Sequence, residues 1–485
     1  MKSFLQMRLQ LMPVRYLPRE IRLKAECFPT HSQFRSGAIF DRLNANDGEV
    51  KGMVQGKQTW GQRLFINRDF GLLFWGRLVS QIGDGIHYFA LTWLVLDLTG
   101  SGAALGALLF ASSIPAVILA PFTGVLADLW DRKMIVVSMD VLRGLILLGL
   151  ALVFKAGHLS LPILYGATVL SSLCGVLFGP AISATIPGLV EKEELVKANS
   201  LNNLSRAATM IAGPVLGAFL LASGGYFGVF LINGVAFLLS ALSETFIRFP
   251  EVIKEETPRD QELSQGRRFM FSLKEGFTYI WQNGGLRTII FFALAINFLA
   301  APLFGVVFPY FGKEILGLAA EQFGTVQAAI PAGYLVGTLA MGYLTRRFGK
   351  GVLLAWGIAG QGVISMLIGV FALPSIYGAI SYTIIMAFLL ITVFVTGIFN
   401  TLVNVPFQVV LQETVPDNYR GRVYGLLDSM VQMLVPISMA FSGVLVDNFS
   451  PAGLLTGIGF IILVLGVAMG SSRNIKQLYQ DEAAA

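Results

Sequence analysis

Four polar residues recur along one apolar stretch of the sequence, at a spacing that would allow proton chemistry inside a hydrophobic segment. Arg77, Ser80, Asp84 and His87 follow one another at intervals of three, four and three positions, which places them on one face of an α-helix. A charged side chain at the centre of a membrane helix costs roughly 2.5–3.5 kcal/mol on insertion scales, so it normally faces a partner or a wet cavity. We therefore expect this face to point away from lipid.

Asp84 is the first candidate for binding a proton. Burial favours the neutral form of a carboxyl group, whereas a nearby guanidinium favours the charged form. If Arg77 approached Asp84 in one conformation and withdrew in another, the carboxyl group would load and release a proton. The alternative is a permanent Arg77–Asp84 structural pair that never titrates.

Other charged residues inside apolar stretches are few. Asp428 forms an i, i+4 polar couple with Gln432 and is the second candidate for binding a proton. Asp140 and Arg143 are i, i+3 neighbours and are predicted to pair with each other. Glu244 lies near the end of an apolar stretch, and we expect it to reach the surface.

The composition predicts the elements that carry these residues. The chain has 485 residues, of which 55% are hydrophobic and 13% charged, with a mean hydropathy of +0.69, well outside the soluble globular range. A membrane helix needs about 20 apolar residues. Continuous blocks of this length, without the alternation of a membrane barrel, predict an all-α integral membrane protein with twelve transmembrane helices, near 70–95, 103–127, 134–154, 161–181, 203–223, 226–247, 286–311, 322–345, 351–373, 376–400, 422–446 and 452–470.

Basic residues predict the orientation of these helices. Lys and Arg in short loops stay on the cytoplasmic side. With twelve helices, one set of loops carries only Lys155 and Lys313, and the other set carries most of the Lys and Arg residues. Both termini are therefore expected in the cytoplasm. Residues 1–66 hold the whole excess of positive charge, and we interpret them either as a lipid-binding tail or as an extension ahead of a true start near Met53.

The chain is expected to divide into two similar halves. When the two halves are aligned at an offset of 218 positions, Gly106 aligns with Gly324 and Gly124 with Gly342. At an offset of 225, residues 190–201 align with 415–426. Duplicated six-helix units are typical of carriers that rock two bundles about a central site. The predicted domains are a basic, disordered cytoplasmic tail (1–66), a first bundle (67–247), a cytoplasmic linker (248–285), a second bundle (286–470) and a cytoplasmic tail (471–485).

The loop after the second predicted helix resembles a signature of the major facilitator superfamily, Gly-x-x-x-Asp-Arg-x-Gly-Arg-Lys/Arg. The resemblance covers essentially all of residues 68–470. It implies the major facilitator fold and a loop that latches the cytoplasmic gate, while anchoring of the topology alone is the alternative. The sequence matches the signature at Gly124, Asp128, Arg132 and Lys133, and it departs at Leu129 and Asp131.

Two further stretches resemble those of proton-driven exporters in this superfamily. Gly213-Pro214-x-x-Gly217 resembles an antiporter signature, and its small residues would let another helix approach closely. The sequence of the first helix and the Asp131-Arg132 pair in the loop are similar to those of the branch that contains macrolide efflux proteins and the enterobactin exporter. The resemblance therefore implies export rather than uptake, from a bacterial inner membrane.

Together these observations predict proton-coupled efflux of amphipathic small molecules such as drugs or macrolide-like compounds. A siderophore or metabolite exporter, or a lipid carrier of the same fold, is the alternative within transport. We find no hydrolase, metalloprotease or ATP-binding motif, which disfavours a membrane enzyme or sensor. We expect no cofactor, metal or nucleic-acid partner, and a monomer that contacts substrate, protons and membrane lipids. The polar residues expected in the substrate cavity are Asn297, Gln327 and Asn404.

Overall fold

The computed structural model describes residues 66–249 and 265–473. Nearly all of the predicted basic tail, residues 250–264 of the predicted linker and the last twelve residues lie outside the described residues. No strand occurs in the described ranges, where helices follow one another with short turns between them. The prediction of an all-α membrane protein is therefore confirmed.

The first half contains five helices, one of them very long. Asn67 caps the first helix by accepting a hydrogen bond from the Phe70 amide at 2.8 Å, and its own side-chain amide donates to the Leu189 carbonyl at 2.6 Å. This residue therefore ties the start of the first helix to the end of the fourth. The helices are α1 (Arg68–Thr99), α2 (Gly102–Leu129), α3 (Arg132–Lys155), α4 (Leu161–Leu189) and α5 (Leu195–Thr245).

Helix α5 has 51 residues and would be about 77 Å long if it were straight, more than twice the thickness of a hydrocarbon core. Gly225 breaks it with φ 60° and ψ −171°, a left-handed conformation that glycine adopts without a steric penalty. The chain reverses there. We call residues 195–224 the first arm of α5 and residues 226–245 its second arm.

The second half begins with an amphipathic helix and continues with six long helices. Helix α6 packs on α11 through a stacked pair of rings, Tyr279 on Tyr419, with centroids 4.6 Å apart. Helix α7 continues through two π-helical turns to Ile315. The helices are α6 (Gln265–Gln282), α7 (Gly284–Pro302), α8 (Ala320–Arg347), α9 (Lys350–Phe371), α10 (Tyr382–Thr414), α11 (Asp417–Asn448) and α12 (Pro451–Ser471).

Twelve membrane crossings result. Within the described residues, ten spans are long and apolar enough to cross a bilayer, and one of these runs over both arms of α5. Helix α1 is not among the ten, yet its 32 residues exceed the length needed. Counting both arms and α1 gives the twelve predicted crossings. Several helices run beyond their apolar stretch, as α10 does by reaching Thr414.

The helices form two bundles that meet along two related seams. Helix α1 packs on α5 and α2 on α4 in the first bundle, and α9 packs on α12 and α8 on α10 in the second. Between the bundles, α2 packs on α11 and the first arm of α5 packs on α8. Because the second half repeats the first, these two seams are equivalent positions of one repeated unit.

One glycine pair of the repeat seen in the sequence, Gly106 and Gly324, lies in these seams. A Cβ atom on Gly106 would lie 2.5 Å from the Met439 carbonyl oxygen, and one on Gly324 would lie 2.8 Å from the Pro214 carbonyl oxygen. Gly106 and Gly324 are 218 positions apart, and Pro214 and Met439 are 225 positions apart. The two seams therefore contain the same glycine–carbonyl contact, and the residues that form it are related by the two offsets found in the sequence. Only glycine leaves room for the opposing backbone at these points.

Candidate functional site

The ends of the bundles are named by their connections. The linker side is the end at which α6 lies, and the distal side is the end that carries the turns at Gly100, Gly225 and Gly317. Each of these three glycines has a positive φ, between 59° and 62°, so each allows a tight reversal between helices. The polar residues of the site lie between these two ends.

An ion pair between α1 and α3 lies inside the first bundle. The Arg143 Nη2 atom donates to the Asp84 Oδ1 atom at 2.5 Å. The Arg143 side chain is 12% exposed and its guanidinium carbon lies 4.4 Å from the centre of the Phe237 ring. The Asp84 side chain is 43% exposed although it lies midway along α1. Arg143 is thus held in the packed interior, and Asp84 presents its carboxylate to an open space.

The partner of Asp84 is Arg143 rather than the predicted Arg77. Seven positions on a helix correspond to about 10.5 Å along its axis, which is too far for a direct contact between Arg77 and Asp84. Arg77 instead has a buried Nη1 atom without a hydrogen-bond partner in the described part of the chain, and Arg206 of α5 is a neighbouring cation. The sequence identified the charged face of α1 but not the helix that supplies its partner.

The predicted local pair between Asp140 and Arg143 is replaced by contacts between helices. Arg143 turns to Asp84, and the Asp140 Oδ2 atom accepts a hydrogen bond from the Ser80 hydroxyl at 3.0 Å. Ser80 and Asp140 are both buried. The helical spacing of the sequence allowed the i, i+3 pair, but α1 offers both members a closer partner.

The prediction that Glu244 reaches the surface is wrong. Its side chain is fully buried, and its Oε1 atom accepts a hydrogen bond from the Ser240 hydroxyl at 3.4 Å. Asn233, Phe237, Ser240 and Glu244 follow at intervals of four, three and four positions and are all buried. The helical spacing of these four residues was the signal in the sequence for a buried face on the second arm.

The residues of the predicted antiporter motif lie where three helices meet. Gly213 packs against Gly85 of α1 and Gly217 packs against Ile86, so the small residues do allow close approach. The Pro214 carbonyl faces Gly324 of α8 in the other bundle. The motif thus joins the helix that carries Asp84 to one of the two seams. Its role in antiport stays a prediction.

The residues of the predicted gate motif lie at the linker side. Gly124 and Asp128 lie in the last turns of α2, whose side chains are outside the described ones. The Lys133 Nζ atom donates to the Thr245 carbonyl at 2.7 Å and to the Ile247 carbonyl at 3.2 Å, which satisfies the end of α5. Arg132 is the first residue of α3. The gating role stays a prediction.

Asp131, where the signature normally has glycine, has a structural role of its own. Its carboxylate accepts hydrogen bonds from the Lys133 amide at 2.8 Å and the Met134 amide at 3.3 Å. These are two of the amides that the start of a helix leaves without a partner. The departure from the signature is therefore an N-cap of α3.

The predicted cavity residues lie on three helices of the second bundle. Asn297 on α7 and Asn404 on α10 are exposed, and their amides donate to carbonyls of their own helices at 2.9 Å and 3.0 Å. Gln327 on α8 is half-buried, and Asp428 on α11 is exposed. The remaining donors and acceptors of these side chains are available to water or a ligand. Contact with substrate stays a prediction.

The distal side is closed by contacts between the bundles. Asp447 of α11 accepts hydrogen bonds from the Ser101 hydroxyl at 2.6 Å and from the amides of Gly102 and Ala103 at 2.6 Å and 3.0 Å. It therefore caps α2, a helix of the other bundle. Lys313 pairs with Asp97 across the other half of this end.

Aromatic rings fill the space beneath this closure. Phe323 of α8 lies against Trp93 of α1, with ring centres 5.2 Å apart, and against Phe89 at 6.5 Å. In the described residues, the polar and aromatic side-chain contacts between the two bundles lie in the distal half. The conformation is therefore closed at the distal side.

An apolar groove runs between the two bundles. It has a volume of about 520 Å³ and is lined by residues of α5, α8 and α10 that include Ile211, Ala328, Ala332, Leu390 and Phe394. Such a surface suits a hydrophobic molecule or chain. Among the described residues, no group of three or more His, Cys, Asp or Glu is arranged to hold a metal ion.

Twelve helices in two duplicated bundles, with an ion pair beside an open space and one closed end, define a multi-pass membrane transporter. The family model described as Major Facilitator Superfamily matches residues 73–388 and 290–472. The chain belongs to the major facilitator superfamily.

Similar proteins from several bacteria include efflux pumps. The chain is 27% identical to an uncharacterised transporter of the same type, YfiS of Bacillus subtilis, over 80% of this chain and 89% of that one. It is 22% identical to macrolide efflux protein A of Streptococcus pyogenes, over 84% and 97%. It is 27% identical to the multidrug efflux pump Tap of Mycobacterium tuberculosis, over 78% and 86%.

Solved structures share the fold. A bacterial homologue of the iron transporter ferroportin, in an inward-facing state, matches 84% of this chain and 99% of its own with a TM-score of 0.63 at 20% identity. The nucleoside transporter NupG matches 84% and 99% with a TM-score of 0.64 at 13% identity. At these identities the likeness concerns the fold alone.

Proposed function

We propose that this transporter exports amphipathic small molecules in exchange for protons, by alternating access. The observation that carries the proposal is the Asp84–Arg143 pair, in which a buried guanidinium holds a carboxylate that faces an open space. A carboxylate at this depth is costly without its cation, so its charge depends on where Arg143 lies. The pair can therefore exchange a proton when the bundles move.

The closed distal side agrees with one stage of such a cycle. In the distal-closed conformation Arg143 contacts Asp84, which favours the ionised carboxylate and hence release of a proton. When the bundles rock about the seams and the distal side opens, Arg143 withdraws from Asp84. This withdrawal favours uptake of a proton by Asp84. A proton taken from the distal side and released at the linker side then accompanies substrate movement in the opposite direction.

The substrate class is inferred from the surfaces and from the relatives. The groove between α5, α8 and α10 is apolar, while Asn297 and Asn404 are exposed polar groups in the second bundle. A site of this kind suits molecules with both apolar and polar parts. Similar chains are named for macrolide efflux and multidrug efflux, which agrees with export of drug-like compounds.

A lipid carrier of the same fold is the second candidate. The apolar groove lies between the bundles and is open, so an acyl chain would fit it as well as a drug would. For either substrate we propose that the linker side faces the cytoplasm, that the membrane is the bacterial inner membrane, and that a monomer performs the cycle.

The test is accumulation of a lipophilic cationic dye in cells that express the wild type or Asp84→Asn, with and without a protonophore. Wild type should lower dye accumulation, and both the substitution and the protonophore should abolish this effect at equal expression. Asp417→Asn is a matched control, since Asp417 is an exposed carboxylate that pairs with Arg420 at the end of α11, and it should behave as wild type.

The outcomes separate the alternatives. If dye accumulation does not change when the wild type is expressed, export of cationic amphipathic compounds is excluded and the lipid carrier is favoured. A fluorescent lipid assay in liposomes then tests the lipid carrier. Export that survives Asp84→Asn but is lost with Asp428→Asn would move the proton site to the exposed carboxylate of α11.

A further inference from the structure

Two carboxyl groups lie deeper in the first bundle than Asp84. Asp140 of α3 and Glu244 of the second arm of α5 are both 0% exposed. Asp140 lies one turn closer to the linker side than Arg143, and Glu244 lies at the linker end of its helix. Acidic residues are almost never fully buried unless they are paired, so the partners of these two decide their charge.

Each carboxyl group has one hydroxyl partner and one oxygen without a partner. Ser80 donates to the Asp140 Oδ2 atom at 3.0 Å, and Ser240 donates to the Glu244 Oε1 atom at 3.4 Å. The Asp140 Oδ1 and Glu244 Oε2 atoms are buried and have no hydrogen-bond partner in the described ranges. Ionised carboxylates normally satisfy both oxygens with donors.

The cations of this region are engaged elsewhere. Arg143 is the neighbouring cation of Asp140, and it donates to Asp84. Lys133 of α3 donates to backbone carbonyls at the end of α5. The other titratable or charged groups on the helices packed around this region are Asp84 and His87 on α1 and Cys174 on α4. Arg77 on α1 and Arg206 on α5 lie near each other, whereas the charged neighbours of Asp140 and Glu244 are Arg143, Asp84 and each other.

A proton on the pair therefore lowers the negative charge between α3 and α5. Arg143 compensates the charge of Asp84, so ionisation of both Asp140 and Glu244 would leave two negative charges in the packed interior, and one proton on the pair removes one of them. Two neighbouring carboxyl groups in such a place cannot both ionise without a large cost. Ser240 lies beside both, since it bonds Glu244 and also approaches Asp140. A single hydroxyl can donate to an ionised carboxylate and accept from a protonated one.

We infer that Asp140 and Glu244 share one proton and form a second proton-binding site, coupled to Asp84 through Arg143. This inference rests on the proposed function. When Asp84 takes up a proton, Arg143 leaves it for Asp140, three positions away on the same helix. The O–H bond of the shared pair then breaks, and that proton leaves towards the linker side. When Arg143 returns to Asp84, the O–H bond of Asp84 breaks, and the proton that Asp84 gives up passes to the pair.

Infrared difference spectroscopy of the full-length protein in lipid nanodiscs tests the shared proton without any substrate. A protonated carboxylic acid has a carbonyl stretch that a carboxylate lacks. Wild type at neutral pH should show this band, and Glu244→Gln should remove it, because glutamine resembles the protonated acid and leaves no shared proton. Asp140→Asn should also remove it. Asp84→Asn should weaken it as well, because asparagine resembles protonated Asp84 and releases Arg143 to pair with Asp140.

The matched control is Glu413→Gln, which alters an exposed carboxylate that pairs with Lys350 at the surface and should leave the band unchanged. A wild-type protein without the band, or a band that persists in both Glu244→Gln and Asp140→Asn, would overturn the inference. Thermal unfolding of each variant confirms that it is folded.

Transport gives a second readout in proteoliposomes. With the lipophilic dye as substrate, Glu244→Gln should lower export driven by a pH gradient by about tenfold, within the usual range of coupling between sites, and retain gradient-free counterflow. Gradient-driven export at the wild-type rate in Glu244→Gln would contradict the coupling. If wild type moves no dye at all, the proposed function fails, and the infrared band still decides whether the pair shares a proton.

Discussion

Replacing Asp447 should open the distal side. Asp447 of α11 caps α2 of the other bundle with three hydrogen bonds, from the Ser101 hydroxyl and from the amides of Gly102 and Ala103. These bonds join the two bundles, so they exist only while the distal side is closed. Asp447→Ala removes all three hydrogen bonds and therefore stabilises the distal-open conformation relative to the closed one.

The magnitude follows from the contacts. Loss of an N-cap costs about 1 kcal/mol, and loss of a hydrogen bond to a charged group costs about 1.5–3 kcal/mol. Because the Ser101 contact is exposed to solvent, water replaces part of it, and we take about 2 kcal/mol for the whole change. This corresponds to about a 30-fold shift in the equilibrium. A distal-open population of about 1% would rise to about a quarter.

The assay is the distance between spin labels on the distal loops of the two bundles, at His158 and Ser375. Both positions are exposed, and both native cysteines are replaced first. Asp447→Ala should add a longer distance at about a quarter of the total. Asn448→Ala is the control, because Asn448 donates to a carbonyl of its own helix, and it should leave the distances unchanged. A distance distribution identical to wild type in Asp447→Ala would refute the reasoning.

Two further predictions concern the seam and the ion pair. Gly324→Ala would place a Cβ atom 2.8 Å from the Pro214 carbonyl oxygen and should destabilise the seam by about 1–3 kcal/mol, which lowers the unfolding temperature. Gly342→Ala is the control, because a Cβ atom there has open space and should leave the unfolding temperature unchanged. Equal unfolding temperatures for the two variants would show that the seam relaxes. Arg143→Ala leaves Asp84 without its cation, so Asp84 should stay protonated and export should no longer depend on a pH gradient; a dependence like that of wild type in proteoliposomes would contradict the assigned role.

The ion pair on which the proposed proton site rests was predicted only in part. The polar spacing along α1 identified Asp84, because position on a helix face is a local property of the chain. It named the wrong partner, since Arg77 lies two turns away while Arg143 comes from another helix. Glu244 was missed for the same reason. Its burial depends on how the second arm of α5 packs against α3, and no window of sequence contains that contact.

The sequence by itself determined the class of protein, the twelve crossings and the duplication. Each crossing needs only a run of apolar residues, and the repeat needs only two residues at a constant offset, so neither depends on packing. Only the tertiary structure shows that residues related by those offsets form equivalent contacts, since Gly106 packs against Met439 and Gly324 against Pro214. It also decided which carboxyl group has a cation, because the partner of a buried charge is the residue nearest in space.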